Sequence, residues 1–483
     1  MRKTKIVCTI GPATDDDSVM RQIMLSGMNV ARFNFSHGDH ATHEKRFEQI
    51  ARLRKELGLP IATLMDTRGP EIRLGRFVDD KPVTIETGDT YTLTTDDVLC
   101  DEKVGSISFK NLPRDVKPGV HILVNDGVIE MVVEKVNATT IVCHVIHGGV
   151  LSNNKGINVP GVQLSMPYLS ESDKNDLEFA AKMGFDFIAA SFVRTSADID
   201  YLRKYTQSLG WFDVRIIAKI ENVEGVRNID EILEASDGIM VARGDLGVEI
   251  PFEQIPSVQK QLIRKGYQAG KQVITATQML ESMITNPRPT RAEITDVANA
   301  IYDGTSAIML SGETAAGAFP VEVVRTMDLI ARTTEDDIDY KGMHSASRTK
   351  KNADIANAIA HATVTTAHDL DAAAILTVTM SGVTAREISK YRPCCPIISC
   401  TVSERVQRQM NLSWGVYPML VDEVANTDAL FDSSIHAALR SDMVNKGDIV
   451  VITAGAPVGV SNTTNMMLSL IHISEPTRLR RIS

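Results

Sequence analysis

The sequence predicts an α/β protein built on a (β/α)8 TIM barrel, with a small β-rich domain inserted in one barrel loop and a separate α/β domain after the barrel. Eight short apolar runs alternate with helical patterns in the amino-terminal two-thirds of the chain. One gap in this rhythm, between the third and fourth runs, is rich in β-branched residues and turn signals. The length of 483 residues exceeds what one hydrophobic core serves, so we expect roughly three domains.

Composition and charge limit the classes of function. Hydrophobic residues make up 43% of the chain and charged residues 23%, which is typical of a globular protein and excludes a disordered or fibrous one. The net charge of −10 and the 5% of aromatic residues argue against a nucleic-acid partner. We expect no membrane partner, because no apolar run is long enough to cross a bilayer and the apolar stretch at the start is too short for a signal peptide.

The six cysteines lack the paired spacing of a zinc site. Reduced thiols in a cytoplasmic protein are the simplest interpretation of this pattern.

The eight apolar runs are interpreted as the buried parallel strands of the barrel. They are KIVCTI (5–10), NVARFNFS (29–36), IATLMDT (61–67), FDFIAASFV (185–193), RIIAKIE (215–221), GIMVARGD (238–245), QVITATQ (272–278) and AIMLSGE (307–313). Most of the runs end in polar residues, and in such barrels the carboxyl ends of the strands carry the chemistry. An open, doubly wound sheet is the alternative that the pattern alone leaves.

The barrel is expected to take residues 1–69 and 169–342, and the inserted β-barrel domain residues 70–168. Turn pairs such as Asp126-Gly127 separate the short runs of the insert. A domain at the mouth of a barrel can act as a lid over the site.

Three segments follow the barrel. The polar stretch 343–353 predicts a linker, and residues 354–466 predict an α/β domain with a parallel sheet. Residues 467–483 form a tail rich in arginine near its end.

Alternation along the strands places polar side chains together at the barrel mouth. Carboxylates from neighbouring strands suit Mg²⁺ or Mn²⁺, and a nearby ammonium group stabilises an oxyanion. The alternative is that these groups are structural ion pairs. The side chains that share a face are Arg32, Asn34 and Ser36 in the second run, Lys219 and Glu221 in the fifth, Arg243 and Asp245 in the sixth, and Thr275 and Thr277 in the seventh.

Long motifs in a fixed order carry a resemblance to a known family. They include KTKIVCTIGP, MNVARFNFSHGDH, DTRGPEIR, NKGINVPG, IIAKIENVEG, DGIMVARGDLGVEIP, ITATQMLESM and NPRPTRAEITDVANAIYDGT. From about Lys3 to Asn465 the chain resembles pyruvate kinases. That resemblance implies a barrel domain, an inserted β domain and a carboxyl-terminal α/β regulatory domain, in agreement with the pattern.

The resemblance implies a glycolytic enzyme that transfers the phosphoryl group of phosphoenolpyruvate to ADP and forms pyruvate and ATP. It also implies a cytoplasmic homotetramer that depends on Mg²⁺ (or Mn²⁺) and K⁺. The implied catalytic residues are Lys219, Arg32 and Thr277, and the implied magnesium ligands are Glu221 and Asp245. Arg32, Lys219, Gly244, Asp245 and Thr277 would bind phosphoenolpyruvate, Arg73 and Lys155 the nucleotide, and Asn34, Ser36, Asp66 and Thr67 the potassium ion.

Glu71 in the GPEIR motif goes, within the family, with dependence on a monovalent cation, so we expect potassium activation. The sequence does not identify the group that donates the proton to the enolate, and a water held by Thr277 is one candidate. His37 is a further candidate base, with packing or hydrogen bonding as the alternative role.

Several positions depart from the family pattern. Ser306 stands where the family usually has aspartate, and Ala318-Phe319 where it has Lys-Tyr. The Ser403 helix lacks much of the Ser/Thr cluster with which sugar-bisphosphate-activated members bind phosphate, and Asn462 stands where a glycine is common. The sequence therefore leaves the identity of an allosteric effector undetermined. We interpret roughly the last fifteen residues as foreign to the family, with a divergent native tail as the alternative.

Two other functions remain open on the sequence. One is a different barrel enzyme that forms a metal-bound enolate, which would need Lys219, Glu221 and Asp245 but no nucleotide site. The other is a catalytically silent module that binds metabolites. ADP-dependent turnover would separate both from a kinase.

Overall fold

The structure is a computed structural model that describes residues 1–346, 354–423, 427–455 and 464–470. The chain begins with the first three strands of the barrel and their helices. These are β1 (Lys5–Thr9), α1 (Asp17–Leu25), β2 (Val30–Asn34), α2 (His40–Leu57) and β3 (Ala62–Asp66).

The inserted domain follows β3 and is almost entirely β. Its elements are β4 (Ile72–Arg73), β5 (Val83–Ile85), β6 (Thr90–Thr94), β7 (Val104–Ser106), α3 (Leu112–Asp115), β8 (His121–Val124), β9 (Ile129–Val136), β10 (Thr140–His147), β11 (Gly149–Leu151) and β12 (Gly156–Asn158). A seven-stranded sheet has the order β4-β12-β8-β9-β10-β6-β7, and β5 pairs with β11. Alternate residues of β9 and β10 are buried in a core of the domain's own.

The second part of the barrel supplies the remaining five strands. Its elements are α4 (Glu171–Met183), β13 (Phe187–Ala190), α5 (Ser196–Ser208), β14 (Arg215–Ile220), α6 (Val223–Arg227), α7 (Ile229–Ala235), β15 (Gly238–Ala242), α8 (Arg243–Glu249), α9 (Ile255–Gln268), β16 (Gln272–Ala276), α10 (Arg291–Tyr302), β17 (Ala307–Leu310), α11 (Gly312–Ala315), α12 (Pro320–Asp337) and α13 (Tyr340–Ala346). Short 3-10 turns lie at Pro12–Thr14, Val78–Asp80, Phe252–Gln254 and Glu281–Ile284.

The barrel is closed by eight parallel strands in the order β1-β17-β16-β15-β14-β13-β3-β2. Every residue of β1, β3 and β15 is buried, because one face fills the barrel interior and the other packs on the helices. Polar caps start several of the helices; Ser170 and Asp173 form a capping box on α4, and Thr290 and Glu293 form one on α10. The predicted fold class, a TIM barrel with an insert and a further α/β domain, is confirmed.

The carboxyl-terminal domain has a five-stranded sheet of order β20-β19-β18-β21-β22. Four strands are parallel, and β22 is antiparallel to β21. The elements are α14 (Ile355–Asp369), β18 (Ala374–Val378), α15 (Val383–Ser389), β19 (Ile397–Thr401), α16 (Glu404–Met410), β20 (Val416–Leu420), α17 (Thr427–Arg440), β21 (Val450–Gly455) and β22 (Thr464–Leu470).

The carboxyl-terminal domain packs against the amino-terminal ends of the barrel strands. Arg408 Nε donates to Asp186 Oδ1 at 3.0 Å, just before β13. Gln409 Nε2 donates to the carbonyl of Asp213 at 2.8 Å, just before β14, and Asn411 Nδ2 donates to the carbonyl of Pro60 at 2.8 Å. The carboxyl ends of the strands, where the sequence predicts the site, are therefore left to the inserted domain.

Three expectations about boundaries need correction. The sixth run was expected to be strand through residue 245, but the strand ends at Ala242 and Arg243 begins α8. Residues 343–346 of the expected linker belong to α13, and 347–353 lie outside the described residues. Residues 467–470 of the expected tail belong to β22, while 471–483 are outside the described part of the chain.

Within the described ranges, a search for helices with the length and apolarity needed to span a bilayer finds none.

Candidate active site

Buried charges converge where β2, β3 and β14 end. Arg32 in the middle of β2 donates from Nε to Asp66 Oδ2 at 2.6 Å and from Nη1 to Thr9 Oγ1 at 2.9 Å. Lys219 near the end of β14 donates from Nζ to the other oxygen of Asp66 at 3.0 Å. Asp66 thereby holds both cations in fixed positions at the barrel mouth.

Lys219 is the centre of this cluster. Its Nζ also donates to Ser191 Oγ at 2.8 Å and lies 2.9 Å from Glu221 Oε1. Burial alone would lower the pKa of Lys219, but the negative charges of Asp66, Glu221 and Asp245 outweigh that effect and raise it. The side chain is 11% exposed, so a charged ammonium group is held almost out of water.

Only one of the two carboxylate oxygens of Glu221 accepts a hydrogen bond from the described residues. Its Oε2 accepts the backbone N–H of Phe192 at 2.6 Å. Its Oε1 faces Lys219 Nζ without an aligned hydrogen bond. Burial, and after it the charge of Asp245, raise the pKa of Glu221 to about 8, while Lys219 opposes the shift.

Glu221 and Asp245 form a pair of interacting carboxylates, and the positive charge of Lys219 beside Glu221 does not fully offset their repulsion. A divalent cation between them would relieve the repulsion and take the free Oε1, so this oxygen donor set fits Mg²⁺ or Mn²⁺. The described residues contain no arrangement of three or more His, Cys, Asp or Glu side chains able to hold a metal. Water or a bound substrate would therefore have to complete the coordination shell.

The segment after β13 supplies two residues that the sequence analysis missed. Ser191 contacts Lys219, Asp66 and the carbonyl of Thr67, the last at 2.7 Å. Phe192 has φ of 54°, a left-handed conformation that is rare for an aromatic residue. That backbone aims its N–H at Glu221. Their position near the end of the fourth apolar run is the only signal in the sequence.

Gly244 and Thr277 lie together on α8 and the loop after β16. The N–H of Gly244 donates to Thr277 Oγ1 at 2.8 Å, and that hydroxyl donates to the carbonyl of Ala276 at 2.6 Å. Thr277 and Gln278 both have positive φ, at 68° and 53°. The alternation expected between Thr275 and Thr277 is wrong, because Thr275 is buried against Thr305 Oγ1 at 2.9 Å.

Arg243 does not pair with Asp245. Its Nη1 contacts Asp296 Oδ1 at 2.6 Å, and its Nη2 donates to the carbonyl of Thr277 at 2.5 Å. Since α8 starts at Arg243, the two residues lie in the first helical turn and not on one strand face. Arg243 fixes the left-handed loop that carries Thr277.

The residues predicted to bind potassium lie together beside this cluster. Asn34 and Asp66 are neighbours across the β2–β3 pair, and Asn34 Oδ1 accepts the N–H of Ser36 at 3.1 Å. Thr67 Oγ1 accepts the N–H of Ser191 at 3.0 Å. The four positions thus offer neutral and anionic oxygens at one place.

The residues predicted to bind the nucleotide lie on the inserted domain. Arg73 in β4 pairs in register with Gly156 in β12, directly after Lys155. Arg73 is exposed; its Nε donates to Glu71 Oε2 at 2.8 Å and its Nη1 to the carbonyl of Asn154 at 3.0 Å. Arg73 and Lys155 are therefore close to each other, but none of their described contacts joins them to the cluster around Lys219.

Two further candidates have local structural roles. His37 is exposed, and its carbonyl oxygen contacts His43 Nε2 at 2.9 Å. Ser403 caps α16, where its Oγ accepts the N–H of Val406 at 3.3 Å. Asn462 lies outside the described residues.

A closed (β/α)8 barrel with a buried lysine and carboxylates at its strand ends defines a TIM-barrel enzyme with a capping insert. The family model for "Pyruvate kinase, barrel domain" matches residues 1–324, and the one for "Pyruvate kinase, alpha/beta domain" matches residues 357–468. The chain belongs to the pyruvate kinase family.

Individual relatives support the same assignment. The chain is 50% identical over 469 residues to a pyruvate kinase of Sporosarcina psychrophila, a match that covers 97% of this chain and 80% of that protein. A pyruvate kinase of Clostridium acetobutylicum is 46% identical over 468 residues, with 97% and 99% covered. The crystal structure of a pyruvate kinase from Cryptosporidium parvum superposes with a TM-score of 0.92 at 40% identity, over 98% of this chain and 96% of that one.

Proposed function

We propose that the enzyme transfers the phosphoryl group of phosphoenolpyruvate to ADP and forms pyruvate and ATP. The observation that carries the proposal is the buried ammonium of Lys219, held between Asp66, Ser191 and Glu221 at the barrel mouth. Phosphoryl transfer needs positioning and charge neutralisation more than covalent help, and this cluster offers both. Relatives named pyruvate kinase over nearly the whole chain support the assignment.

The two cations of the cluster have separate roles. Arg32, fixed by Asp66 and Thr9, offers a guanidinium group for the phosphate of phosphoenolpyruvate. Lys219 neutralises the negative charge that develops on the transferred phosphoryl group and on the enolate oxygen. Because their carboxylate partner is the same Asp66, both cations are oriented before substrate arrives.

Glu221 and Asp245 would hold the divalent metal, and Mg²⁺ or Mn²⁺ there supplies Lewis-acid neutralisation of phosphate and enolate charge. Glu221 is oriented for this by the N–H of Phe192. Gly244 and Thr277 would seat the substrate beside them. The Thr277 hydroxyl proton is directed at the carbonyl of Ala276, which supports a positioning role for this hydroxyl rather than direct proton donation.

Nucleotide and potassium occupy the two flanks of the cluster in this proposal. Arg73 and Lys155 would bind the phosphates of ADP from the inserted domain, which then acts as the lid that excludes water. Asn34, Ser36, Asp66 and Thr67 would bind K⁺, whose charge offsets the carboxylates nearby. The paired Glu71 and Arg73 fit an enzyme that requires this ion.

The experiment measures pyruvate and ATP formation from phosphoenolpyruvate and ADP with Mg²⁺, with and without K⁺. We expect turnover that depends on K⁺ and falls by at least about a thousandfold in Lys219→Met, because the transition-state charge loses its neutralising partner. Lys45→Met, which changes an exposed lysine on α2, is the matched control and should retain full activity.

A folded wild-type protein that forms no pyruvate would contradict the proposal. Binding of phosphoenolpyruvate without product would then favour the silent binding module. Pyruvate formation that did not require ADP would favour a different enolate-forming enzyme.

We also propose a homotetramer in the cytoplasm. The family relationship supports both, and the six cysteines, all free and mostly buried, suit a reducing compartment. Sedimentation that showed a monomer at micromolar concentration would contradict the tetramer.

A further inference from the structure

A small, partly open cavity lies between the barrel and the carboxyl-terminal domain. Residues 270–272, at the start of β16, and Ser306, just before β17, line it on the barrel side. Residues from the end of α15 to Arg392, together with Trp414, line it on the other side. The cavity is at the amino-terminal face of the barrel, opposite the mouth that holds Lys219.

The cavity is lined by four cations, Lys271, Arg386, Lys390 and Arg392, and by no acidic residue among the lining residues described. Lys390 is paired with Glu387 at 2.8 Å. Within the described part of the chain, the other three have no carboxylate at ion-pair distance. Lys271 Nζ donates to the carbonyl of Ser236 at 2.7 Å, and Arg386 reaches only a carbonyl at 3.5 Å. Three positive charges are thus gathered at a domain junction, and the acidic side chains that act on them, Asp237, Glu335 and Glu387, all lie beyond ion-pair distance.

Arg392 is the most deeply buried of the four, at 6% exposure. Its Nη2 donates to the carbonyl of Gly304 at 2.6 Å, and its guanidinium plane stacks over Trp414 with the carbon 4.5 Å from the ring centre. Its Nε and Nη1 have no acceptor among the described residues. Burial lowers the pKa of Arg392 and of Arg386 to about 10, because no carboxylate in the described parts of the chain pairs with either guanidinium group.

Leaving charged donors buried and unpaired is costly. A water molecule could accept the two N–H groups of Arg392 but would add no negative charge beside the three cations. An anion satisfies both requirements, and the size of the cavity restricts it to a compact one. The partly open mouth gives such an ion access from solvent.

We propose that this cavity binds a small inorganic anion that accepts hydrogen bonds from Nε and Nη1 of Arg392 and neutralises Lys271 and Arg386. The bound anion joins the barrel to the carboxyl-terminal domain, because its ligands come from both. Chloride, sulfate and inorganic phosphate share the required chemistry, and a titration of each separates them.

The experiment is thermal unfolding of the full chain at constant ionic strength, with gluconate replaced stepwise by chloride, sulfate or phosphate. We expect the best-bound anion to raise the Tm of the wild type by about 2–4 °C at saturating concentration. Gluconate is too large for the cavity and serves as the reference anion. A wild-type Tm that no small anion raises would overturn the proposal.

The variant Ser306→Asp places a carboxylate in the cavity from the barrel side. Ser306 Oγ accepts the N–H of Val273 at 3.2 Å, and an aspartate oxygen can accept the same N–H while it faces the cations. We expect this variant to have a higher Tm than the wild type in gluconate and a flattened response to added anion. An equal anion response in both proteins would show that the anions act elsewhere and would overturn the proposal.

Three further measurements test whether the response is specific to the cavity. Arg32→Gln removes an anion-binding cation from the barrel mouth and should leave the anion response intact; loss of the response there would overturn the proposal. Lys271→Gln weakens the cavity without adding a charge and should reduce the response even if Ser306→Asp fails to fold. Crystals soaked in bromide should show an anomalous peak beside Arg392, and a peak only at the mouth would contradict the assignment.

Discussion

Ser191 shows how a single residue without a titratable group can control a charged site. Its hydroxyl lies between Lys219 and Asp66 and bonds to the carbonyl of Thr67, so it fixes the position of the ammonium group. Sequence reasoning finds charged residues first, since their chemistry is explicit in the residue type. A serine near the end of an apolar run is one of many in the chain, and only the folded geometry distinguishes it.

Replacing this serine should affect turnover more than binding. We expect Ser191→Ala to lower kcat by about 10- to 100-fold, because a hydrogen bond to a charged group contributes about 1.5–3 kcal/mol. The KM for phosphoenolpyruvate should change much less, since Arg32 remains in place. Steady-state kinetics check this split.

Two controls separate positioning from a general loss of structure. Ser191→Thr restores the hydroxyl and should recover most of the activity. Ser208→Ala, at the exposed end of α5, removes a hydroxyl remote from the mouth and should change nothing. A fall in activity that Ser191→Thr did not rescue would argue against the positioning role.

Cys394 is the second residue-scale prediction. The hydrogen bond from the Cys395 thiol, followed by the charges of Lys341 and Lys3, lowers the pKa of Cys394, although burial opposes the shift. Cys8, Cys143 and Cys400 are buried, and burial raises the pKa of each thiol. We therefore expect iodoacetamide to alkylate Cys394 first, with a rate that rises at a lower pH than that of an ordinary thiol.

Peptide mass mapping after short exposures measures this order. In Cys395→Ala the donated hydrogen bond is gone, so the midpoint of the rate profile should move upward toward that of an ordinary thiol. Alkylation of Cys8 before Cys394 would contradict the prediction.

Among the elements, the barrel strands were largely predictable and their ends were not. Apolar runs identified all eight strands, because a strand buried on both faces has to be apolar throughout. Period-two alternation was extended too far in the sixth run, where the chain turns into α8 at Arg243. A residue such as Asp245 suits the first turn of a helix as well as a strand end, so the pattern could not decide between them.

The last strand, β22, is the element that revises the interpretation of the tail. It pairs antiparallel with β21 from Thr464 to Leu470 and covers an edge that β21 would otherwise expose. We expect a chain ending at Leu470 to match the full chain in Tm and turnover. A chain ending at Thr463 lacks the strand and should unfold at lower temperature or aggregate.

Thermal unfolding and pyruvate formation of both truncated chains check this. A large loss of stability in the chain ending at Leu470 would show that the residues after it belong to the fold.

At the scale of the whole molecule, the barrel presents its two ends to different domains. The inserted domain lies at the carboxyl ends of the strands, where Asn158 Nδ2 donates to Glu249 Oε1 at 3.3 Å. The carboxyl-terminal domain lies at the other end, through polar contacts such as Gln272 Nε2 to Ser413 Oγ at 2.9 Å. Chain length and the alternation of apolar runs with helical patterns predicted three domains. Which end of the barrel each of the other two domains covers depends on long-range contacts, and no local sequence pattern indicates them.

Lys5 ties the two domains at this junction and should make stability depend on pH. It is buried, its Nζ donates to the carbonyl of Val416 at 2.5 Å, and burial followed by the charge of Arg2 lowers its pKa to about 7. Between about pH 7 and pH 10.5 the unfolded chain binds a proton here that the folded chain does not. The free energy of unfolding therefore rises with pH across that window through this group, and is level below it.

The test compares Lys5→Met with the wild type by urea unfolding at several pH values. The stability of Lys5→Met relative to wild type should be greatest at pH 7 and below, and should decline toward pH 10. Lys45→Met, on the exposed face of α2, is the control and should show no such trend. A constant difference between Lys5→Met and wild type at all pH values would contradict the prediction.

Strand β14 connects the carboxyl-terminal domain to the site at the barrel mouth over a short stretch of chain. Arg215, its first residue, donates from Nη2 to the carbonyl of Ser381 in the carboxyl-terminal domain at 3.2 Å, and Lys219 is four residues further on. An extended segment of that length spans about 13 Å and has no joint in it. The strand is thus a rigid connection between Arg215 and Lys219. A graft or redesign of the carboxyl-terminal domain that shifts Arg215 therefore changes the alignment of the reacting groups as directly as a substitution at the barrel mouth.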